Sequence, residues 1–259
     1  MRPNRLRELW TAGKPVIAGW LSIPNAFTAE LMAGMGWDAL TIDTQHGLIG
    51  YADMLAMLQA ISTTAVVPLV RVSWNQPGEI MKALDAGALG IICPMINDAA
   101  ECARFVQACR YPPDGYRSYG PTRAGVVGGP NYYPDANREI LTLAMVETAD
   151  GMKNLDAIAA TPGLDGIYIG PGDLSLSHGG EPRQDSDDPV LLARFDQILA
   201  ACRAAGIKAC VHTASAGYAQ QMIERGFDLV TIMGDVRYLT AGGGDVTDMR
   251  AWTERRGAS

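Results

Sequence analysis

Eight short apolar segments alternate with segments of helical periodicity, and this alternation constrains the fold more than any other feature of the sequence. The apolar segments are nearly continuous, which predicts strands buried on both faces, as in a parallel sheet. The length of 259 residues is close to the ~250 residues of a (β/α)8 barrel. We therefore predict an α/β protein with one (β/α)8 TIM-barrel domain over residues 1–259. The predicted strands are Pro15–Leu21, Asp38–Asp43, Ala65–Val72, Leu89–Cys93, Leu141–Glu147, Gly166–Gly170, Ile207–His212 and Leu229–Met233.

A doubly wound sheet is the competing architecture for such an alternation. It usually carries a glycine-rich turn after the first strand, where a dinucleotide phosphate binds. The turn after the first predicted strand is instead Pro24-Asn25-Ala26. The barrel is therefore the favoured prediction.

Composition and charge exclude several classes of function. The formal net charge of -7 argues against a nucleic-acid-binding surface. No segment approaches the ~20 apolar residues of a membrane span, and the N-terminal segment does not resemble a signal peptide. The five cysteines are odd in number and form no Cys-X-X-Cys pair, which favours buried thiols in a cytoplasmic protein.

One long segment, residues 111–137, is rich in Gly, Pro and Tyr and interrupts the alternation. Connections longer than ~12–15 residues are uncommon and are usually functional lids or disordered segments. The tyrosines, with Arg117 and Arg123, favour an ordered lid or an intersubunit arm, and a simple surface excursion is the alternative.

Polar residues gather at the predicted strand ends, where a TIM barrel carries its active site. Glu147 ends strand five and Asp173 follows strand six, so the two carboxylates are expected to face each other. Two carboxylates ~4 Å apart repel by about 4 kcal/mol at an effective dielectric constant of ~20. Oxygen ligands without cysteine favour Mg²⁺, Mn²⁺ or Co²⁺ as the neutralising cation. The alternatives are a pair neutralised by Arg71 and a glycosidase-like acid/base pair.

Two further residues at the same rim are candidate catalytic groups. His46 follows Asp43 by three residues, and a carboxylate that accepts from one ring nitrogen would make the other a better base. Arg71 ends an otherwise apolar strand, where a buried guanidinium needs an anionic partner. None of Lys14, Lys82, Lys153 and Lys208 falls at the C-terminal end of a predicted strand, which favours metal chemistry over imine chemistry.

Four motifs in chain order resemble the HpcH/HpaI aldolase family of class II, metal-dependent pyruvate aldolases. They are Asp-X-X-His from Asp43 to His46, Val-Arg at Arg71, Val-Glu-Thr around Glu147, and Gly-Pro-Gly-Asp-Leu-Ser from Gly170 to Ser175. The resemblance covers nearly the whole chain. It implies a divalent-metal aldolase that makes or cleaves a 4-hydroxy-2-oxoacid, with pyruvate or a related 2-oxoacid as donor and an aldehyde as acceptor.

The resemblance also implies roles for individual residues. Glu147 and Asp173 match the metal ligands, and His46 matches the base, hydrogen-bonded to acids that match Asp43 and Asp85. Substrate-binding positions fall on Trp20, Arg71, Met145, Pro171, Gly172 and Asp173. The implied assembly is a homo-oligomer, a hexamer built as a trimer of dimers that exchange the C-terminal helix.

Three positions depart from the common pattern of the family. Met145 stands where Gln is frequent, Gln45 where Glu is frequent, and Gly172 where Ala is frequent. These changes bear on the identity of donor and acceptor. Two other functions are kept as alternatives, a 2-oxoacid decarboxylase of the oxaloacetate type and a non-catalytic 2-oxoacid-binding protein.

Overall fold

The computed structural model describes residues 1 and 3–257 and contains a closed barrel of parallel strands. Each strand pairs with the next along the chain, and the first strand pairs with the eighth. The predicted (β/α)8 fold is confirmed. The strands are β1 (Val16–Leu21), β2 (Ala39–Asp43), β3 (Val67–Arg71), β4 (Gly90–Cys93), β5 (Leu141–Met145), β6 (Gly166–Ile169), β7 (Lys208–Thr213) and β8 (Leu229–Gly234).

Helices follow the strands and cover the outside of the barrel. They are α1 (Arg5–Thr11), α2 (Ala26–Ala33), α3 (Tyr51–Ile61), α4 (Pro77–Asp85), α5 (Ala99–Cys109), α6 (Thr122–Gly128), α7 (Tyr132–Glu139), α8 (Ala149–Lys153), α9 (Leu155–Ala159), α10 (Pro171–Leu176), α11 (Pro189–Ala205), α12 (Ala216–Arg225), α13 (Asp235–Gly242) and α14 (Gly244–Gly257). Helices α11 and α12 end before Gly206 and Gly226, which both have positive φ.

Two apolar clusters explain why the strands carry few polar residues. One lies between the strands and the surrounding helices and includes Ile42, Ile91 and Ile169. The other fills the barrel interior and includes Leu69, Tyr168 and residues of α1, which closes the N-terminal end. Because both faces of each strand are buried, the polar residues of the strands are confined mainly to their ends.

The segment 111–137 is ordered, but the structure does not support the prediction that it forms a lid over the candidate site in its own chain. It lies between α5 and β5, and so on the side of the barrel where strands begin. Helix α6 lies within it and α7 begins there; Arg117 binds Asp85 at 2.6 Å, and Arg123 donates to the carbonyl of Ala86. The role of an intersubunit arm stays a prediction.

Two simpler predictions concern cysteine and membranes. All five cysteines are buried and free, as the sequence indicates. Among the residues that the structure describes, no helix combines the length and the apolar character that a membrane crossing requires.

Candidate active site

A cavity of about 330 Å³ opens at the C-terminal ends of the strands. Most of the predicted site residues line it: Trp20, Asp43, His46, Arg71, Met145, Glu147, Pro171, Gly172 and Asp173. They come from β1, β2, β3, β5 and β6 or from the turns that follow these strands. None of the described residues that line the cavity is a lysine, in agreement with the argument against imine chemistry.

Asp43 and Arg71 form a buried, two-pronged ion pair. The register of β2 and β3 places the two residues directly opposite each other. Arg71 Nε donates to Asp43 Oδ1 at 2.8 Å and Nη2 to Oδ2 at 2.6 Å. The Arg71 guanidinium also lies over the Trp20 ring, 4.7 Å from its centroid. The guanidinium is therefore held rigidly at the cavity wall.

Both carboxylate oxygens of Asp43 accept further hydrogen bonds besides those from Arg71. Trp20 Nε1 donates to Oδ2 at 3.2 Å, and the backbone N–H groups of Gln45 and His46 donate to Oδ1. Burial alone would raise the pKa of Asp43, but the Arg71 contacts and the two backbone donors outweigh it and lower the pKa. Asp43 is thus an ionised residue that positions Arg71.

The expected hydrogen bond between Asp43 and the His46 ring is therefore corrected. Asp43 contacts His46 only through the backbone N–H, at 3.3 Å. The His46 side chain is exposed at the mouth of the cavity, and its ring makes no hydrogen bond within the described residues. The ring is free to meet a group that enters the cavity.

Asp85 lies at the opposite end of the barrel from His46. It ends α4, just before the chain enters β4, and its partner is Arg117. The expected contact between Asp85 and His46 is not made within one chain. A helix that follows a strand returns to the N-terminal rim before the next strand, which explains the separation.

Glu147 is the buried carboxylate of the site. Its Oε1 accepts from the N–H of Met95 at 2.9 Å, whereas Oε2 is buried and has no partner among the described residues. Met95 adopts φ 57°, an uncommon conformation for a residue other than glycine, in the turn after β4. The pKa of Glu147 is raised to about 7. Burial is the largest cause, and the negative charge of Asp173 raises the pKa further.

Asp173 lies in the first turn of α10 and is exposed to the cavity. Gly170 precedes α10, and a β-carbon at this position would overlap Glu147 Oε2. The absence of a side chain at Gly170 therefore makes room for the Glu147 carboxylate. The backbone of the Gly-Pro-Gly turn therefore brings the two carboxylates into one part of the cavity.

The donor set fits a divalent cation. Among the described residues, no group of three or more His, Cys, Asp or Glu side chains is arranged around a common point. A site with Glu147 and Asp173 as its only protein ligands leaves positions for water and substrate, as Mg²⁺ commonly requires. The unpartnered Oε2 is the direct indication of a missing positive partner. Arg71 makes no hydrogen bond to Glu147, because its hydrogen bonds go to Asp43, although its charge lowers the pKa of Glu147.

His212, from β7, packs against the inner wall. Its Nδ1 lies 3.2 Å from the Tyr168 hydroxyl, which also bonds Thr231, and its ring meets the Trp20 ring edge-on at 4.8 Å. Burial, and then the charge of Arg71, lowers the pKa of His212 to about 4. His212 is therefore a neutral polar group at neutral pH.

Sequence reasoning assigned no site role to several residues that line the cavity. They are Ser22, Tyr168, Gly170, Gln184, His212, Thr213, Met233, Gly234, Asp235, Val236 and Arg237. Strand-end position was a signal for His212 and Asp235, whereas Gln184 and Arg237 lie beyond the strands, where no such signal exists.

Residues 17–239 match the sequence profile of the HpcH/HpaI aldolase/citrate lyase family. The chain is 38% identical over 249 residues to a hydroxypyruvate/pyruvate aldolase of Rhizorhabdus wittichii, covering 96% of this chain and 99% of the relative. It is 36% identical over 244 residues to a 4-hydroxy-2-oxo-heptane-1,7-dioate aldolase of Salmonella heidelberg, covering 92% and 91%.

A solved structure from Burkholderia cenocepacia, described as an HpcH/HpaI aldolase/citrate lyase family protein, superposes with a TM-score of 0.87 at 32% identity. The alignment covers 95% of this chain and 99% of that structure. The profile match and these relatives extend over nearly the whole barrel, including all the strands that carry the cavity. The chain therefore belongs to the HpcH/HpaI aldolase/citrate lyase family.

Proposed function

We propose that the protein is a divalent-metal-dependent aldolase that makes or cleaves a 4-hydroxy-2-oxoacid. Pyruvate or a related 2-oxoacid would be the donor and an aldehyde the acceptor. The observation that carries the proposal is the buried, unpartnered Oε2 of Glu147 beside Asp173. The names of the Rhizorhabdus and Salmonella relatives support the same reaction class.

Glu147 and Asp173 would hold the cation, and Mg²⁺, Mn²⁺ and Co²⁺ all suit two carboxylates. When bound, the cation would supply a Lewis acid next to the keto group of the 2-oxoacid. The N–H groups of Gly172 and Asp173, in the first turn of α10, have no acceptor within the helix. They are free to bind the carboxylate of the 2-oxoacid.

Arg71 would stabilise the negative charge that develops on the keto oxygen during cleavage. Its Nε and Nη2 are held by Asp43, so Nη1 is the nitrogen left to donate toward substrate. A guanidinium fixed before the reaction needs little reorganisation as charge develops. The role of Asp43 in this scheme is to position Arg71.

His46 would act as the base. In cleavage it takes the proton of the 4-hydroxyl, the C4 oxygen forms a carbonyl, and the C3–C4 bond breaks. The electron pair of that bond passes to the 2-oxoacid as an enolate, which is then protonated at C3. Condensation follows the same steps in reverse. The unbonded, accessible ring of His46 suits this proton transfer.

Decarboxylation of a 2-oxoacid such as oxaloacetate is a second candidate. It is favoured by one observation: among the described residues of one chain, no acid forms a hydrogen bond with the His46 ring. Loss of CO₂ produces the same enolate and needs no base at the position of His46. The two activities can therefore be separated by substitution of that residue.

We also propose that the protein assembles with further copies of itself. Leu239, Val246, Met249 and Trp252, on α13 and α14, are at least 45% exposed although they are large and apolar. A helix exchanged between subunits would bury them. A shared site would also provide a way for Asp85 of one chain to approach His46 of another. Light scattering after size-exclusion chromatography tests the assembly.

The function is tested with protein that has been exhaustively chelated and then reloaded with Mg²⁺, Mn²⁺ or Co²⁺. We expect the reloaded protein to exchange the methyl protons of pyruvate with deuterium oxide and to condense pyruvate with an aldehyde panel. Glu147→Gln is expected to lose both reactions and Mn²⁺ binding. Glu224→Gln, at an exposed glutamate of α12, is the matched control. Full activity after chelation would overturn the proposal.

A further inference from the structure

Arg237 is a cation on the cavity wall that has no carboxylate partner. It lies in the first turn of α13, directly after β8, and its side chain is exposed. Its guanidinium makes one hydrogen bond within the described residues, from Nη1 to the carbonyl of Ala214 at 3.2 Å. No carboxylate in that part of the chain lies within ion-pair distance of it.

Two acidic residues of the adjoining segments, Asp235 and Asp185, have other partners. Asp235 accepts the backbone N–H groups of Ser22 and Ile23, which holds it toward the turn after β1. Asp185 accepts the Ala214 N–H and the Ser215 hydroxyl at 2.7 Å each. Both carboxylates therefore anchor loops, and neither pairs with Arg237.

The other charged side chains of the cavity have partners of their own, and those of Asp235 are the backbone N–H groups of Ser22, Ile23 and Val236. Arg71 pairs with Asp43, and the two negative charges of Glu147 and Asp173 match one divalent cation. His212, which lies on β7 between the β6 and β8 walls, is uncharged at neutral pH. With that cation bound, Arg237 is the charged side chain of the cavity that has no ion-pair partner and only one hydrogen bond, and it follows β8, two strands along the barrel from β6.

We propose that Arg237 recognises an anionic group, a carboxylate or a phosphate, on the acceptor aldehyde. This inference rests on the proposed aldolase function and names the acceptor class of the same site. The carboxylate of the 2-oxoacid donor has its own partners near α10, so the anion at Arg237 belongs to the acceptor half. Neighbouring strands lie about 4.8 Å apart, so β8 is on the order of 10 Å from β6. An acceptor that reaches from the donor near β6 to Arg237 after β8 is therefore a short-chain molecule.

The first test is binding, which does not depend on turnover. The Mn²⁺-loaded protein is titrated in a calorimeter with 2-oxoheptanedioate and with 2-oxoheptanoate, which both lack the 4-hydroxyl and cannot be cleaved. A charge-assisted contact predicts that the dicarboxylate binds about 10- to 100-fold more tightly. In Arg237→Met that preference should fall to near unity, while the affinity for 2-oxoheptanoate stays unchanged.

Arg104→Met is the matched control, because Arg104 is an exposed arginine of α5 outside the cavity. It should keep the preference in full. Arg237→Lys should keep part of it, since the charge remains but the forked donor geometry is lost. An unchanged preference in Arg237→Met, or an equal loss of affinity for both ligands, overturns the inference.

Turnover with paired aldehydes identifies the anion. The pairs are 4-oxobutanoate with butanal, and glyceraldehyde 3-phosphate with glyceraldehyde. In each pair we compare kcat/KM for the anionic aldehyde with kcat/KM for the neutral one. If this ratio is larger in the first pair, the anion is a carboxylate; if it is larger in the second pair, the anion is a phosphate. Arg237→Met should abolish the larger ratio. If no aldehyde reacts, the aldolase proposal fails while the calorimetric preference still decides the role of Arg237.

Discussion

Gly170 lies directly against the carboxylate of Glu147, and this contact makes residue 170 part of the geometry of the proposed metal site. A β-carbon at position 170 would overlap Glu147 Oε2 and would lie 3.0 Å from Met145 Cε. Glu147 is held from the other side by the Met95 N–H, so it has little room to retreat. The glycine is thus required by the space that the carboxylate occupies.

Gly170→Ala is predicted to weaken Mn²⁺ binding. The methyl group displaces Glu147, and mutation of a residue that orients a metal ligand typically costs about 10- to 100-fold in metal affinity or activity. Gly172→Ala is the matched control, because a β-carbon there meets only Pro182 Cβ at 3.8 Å, an ordinary contact. Calorimetric titration of both variants checks the prediction, and equal Mn²⁺ affinities in both would contradict it.

The stability of the metal-free protein is predicted to fall as the pH rises from about 4.5 to about 7. The folded pKa of Glu147 is raised to about 7 from the usual 4.5, by burial and then by Asp173. The folded state therefore holds a proton that the unfolded state has already lost, and this stabilisation disappears as Glu147 ionises. The resulting decrease in the free energy of unfolding over this pH range is at most about 3 kcal/mol.

Urea denaturation in excess chelator at pH 5 and pH 8 measures this difference. Glu147→Gln should remove most of it, because the amide has no charge to bury. Glu224→Gln, at the exposed residue, should behave as the unsubstituted protein. With Mn²⁺ present the trend should reverse, since the ion binds the ionised carboxylate. A chelated protein whose stability is the same at both pH values would contradict the assignment.

Asp43→Asn is predicted to reduce stability and activity while leaving Mn²⁺ binding intact. Asp43 is 2% exposed and holds Arg71 through two hydrogen bonds. Loss of one partner of a buried ion pair costs about 3–5 kcal/mol, and the released Arg71 no longer has a fixed position. Denaturation, Mn²⁺ titration and kcat/KM measure the three effects. Asp150→Asn, at the exposed pair with Lys153, should change none of them.

The barrel and most of the site could be predicted from the sequence because burial on both faces excludes polar residues from strand interiors. Polar residues are then left at strand ends, and the closed topology brings those ends to one cavity. Glu147 and Asp173 were found in this way. The pairing of Asp43 with Arg71 follows from the β2–β3 register, which apolar periodicity does not specify.

The contacts that the sequence does not specify depend on helix direction and on loops. Asp85 matches an acid that the family resemblance implies, but α4 returns it to the N-terminal end of the barrel, where Arg117 binds it. The segment 111–137 has a composition typical of an irregular loop, yet tertiary contacts such as that of Arg123 with Ala86 stabilise a helix within it. Arg237 lies beyond a strand end, where no periodicity indicates that it faces the cavity.

His46→Ala is predicted to lose aldol turnover by about 10²- to 10⁴-fold, the usual contribution of a positioned base. Mn²⁺ affinity and stability should stay unchanged, because the side chain is exposed and its ring bonds nothing in the described residues. His178→Ala is the matched control, since His178 is also exposed and binds only the Leu174 carbonyl of its own segment.

Oxaloacetate decarboxylation should survive in both variants, because loss of CO₂ needs no base there. Undiminished aldol turnover in His46→Ala would remove His46 from the mechanism, and parallel loss of decarboxylation would assign it to binding of the 2-oxoacid instead.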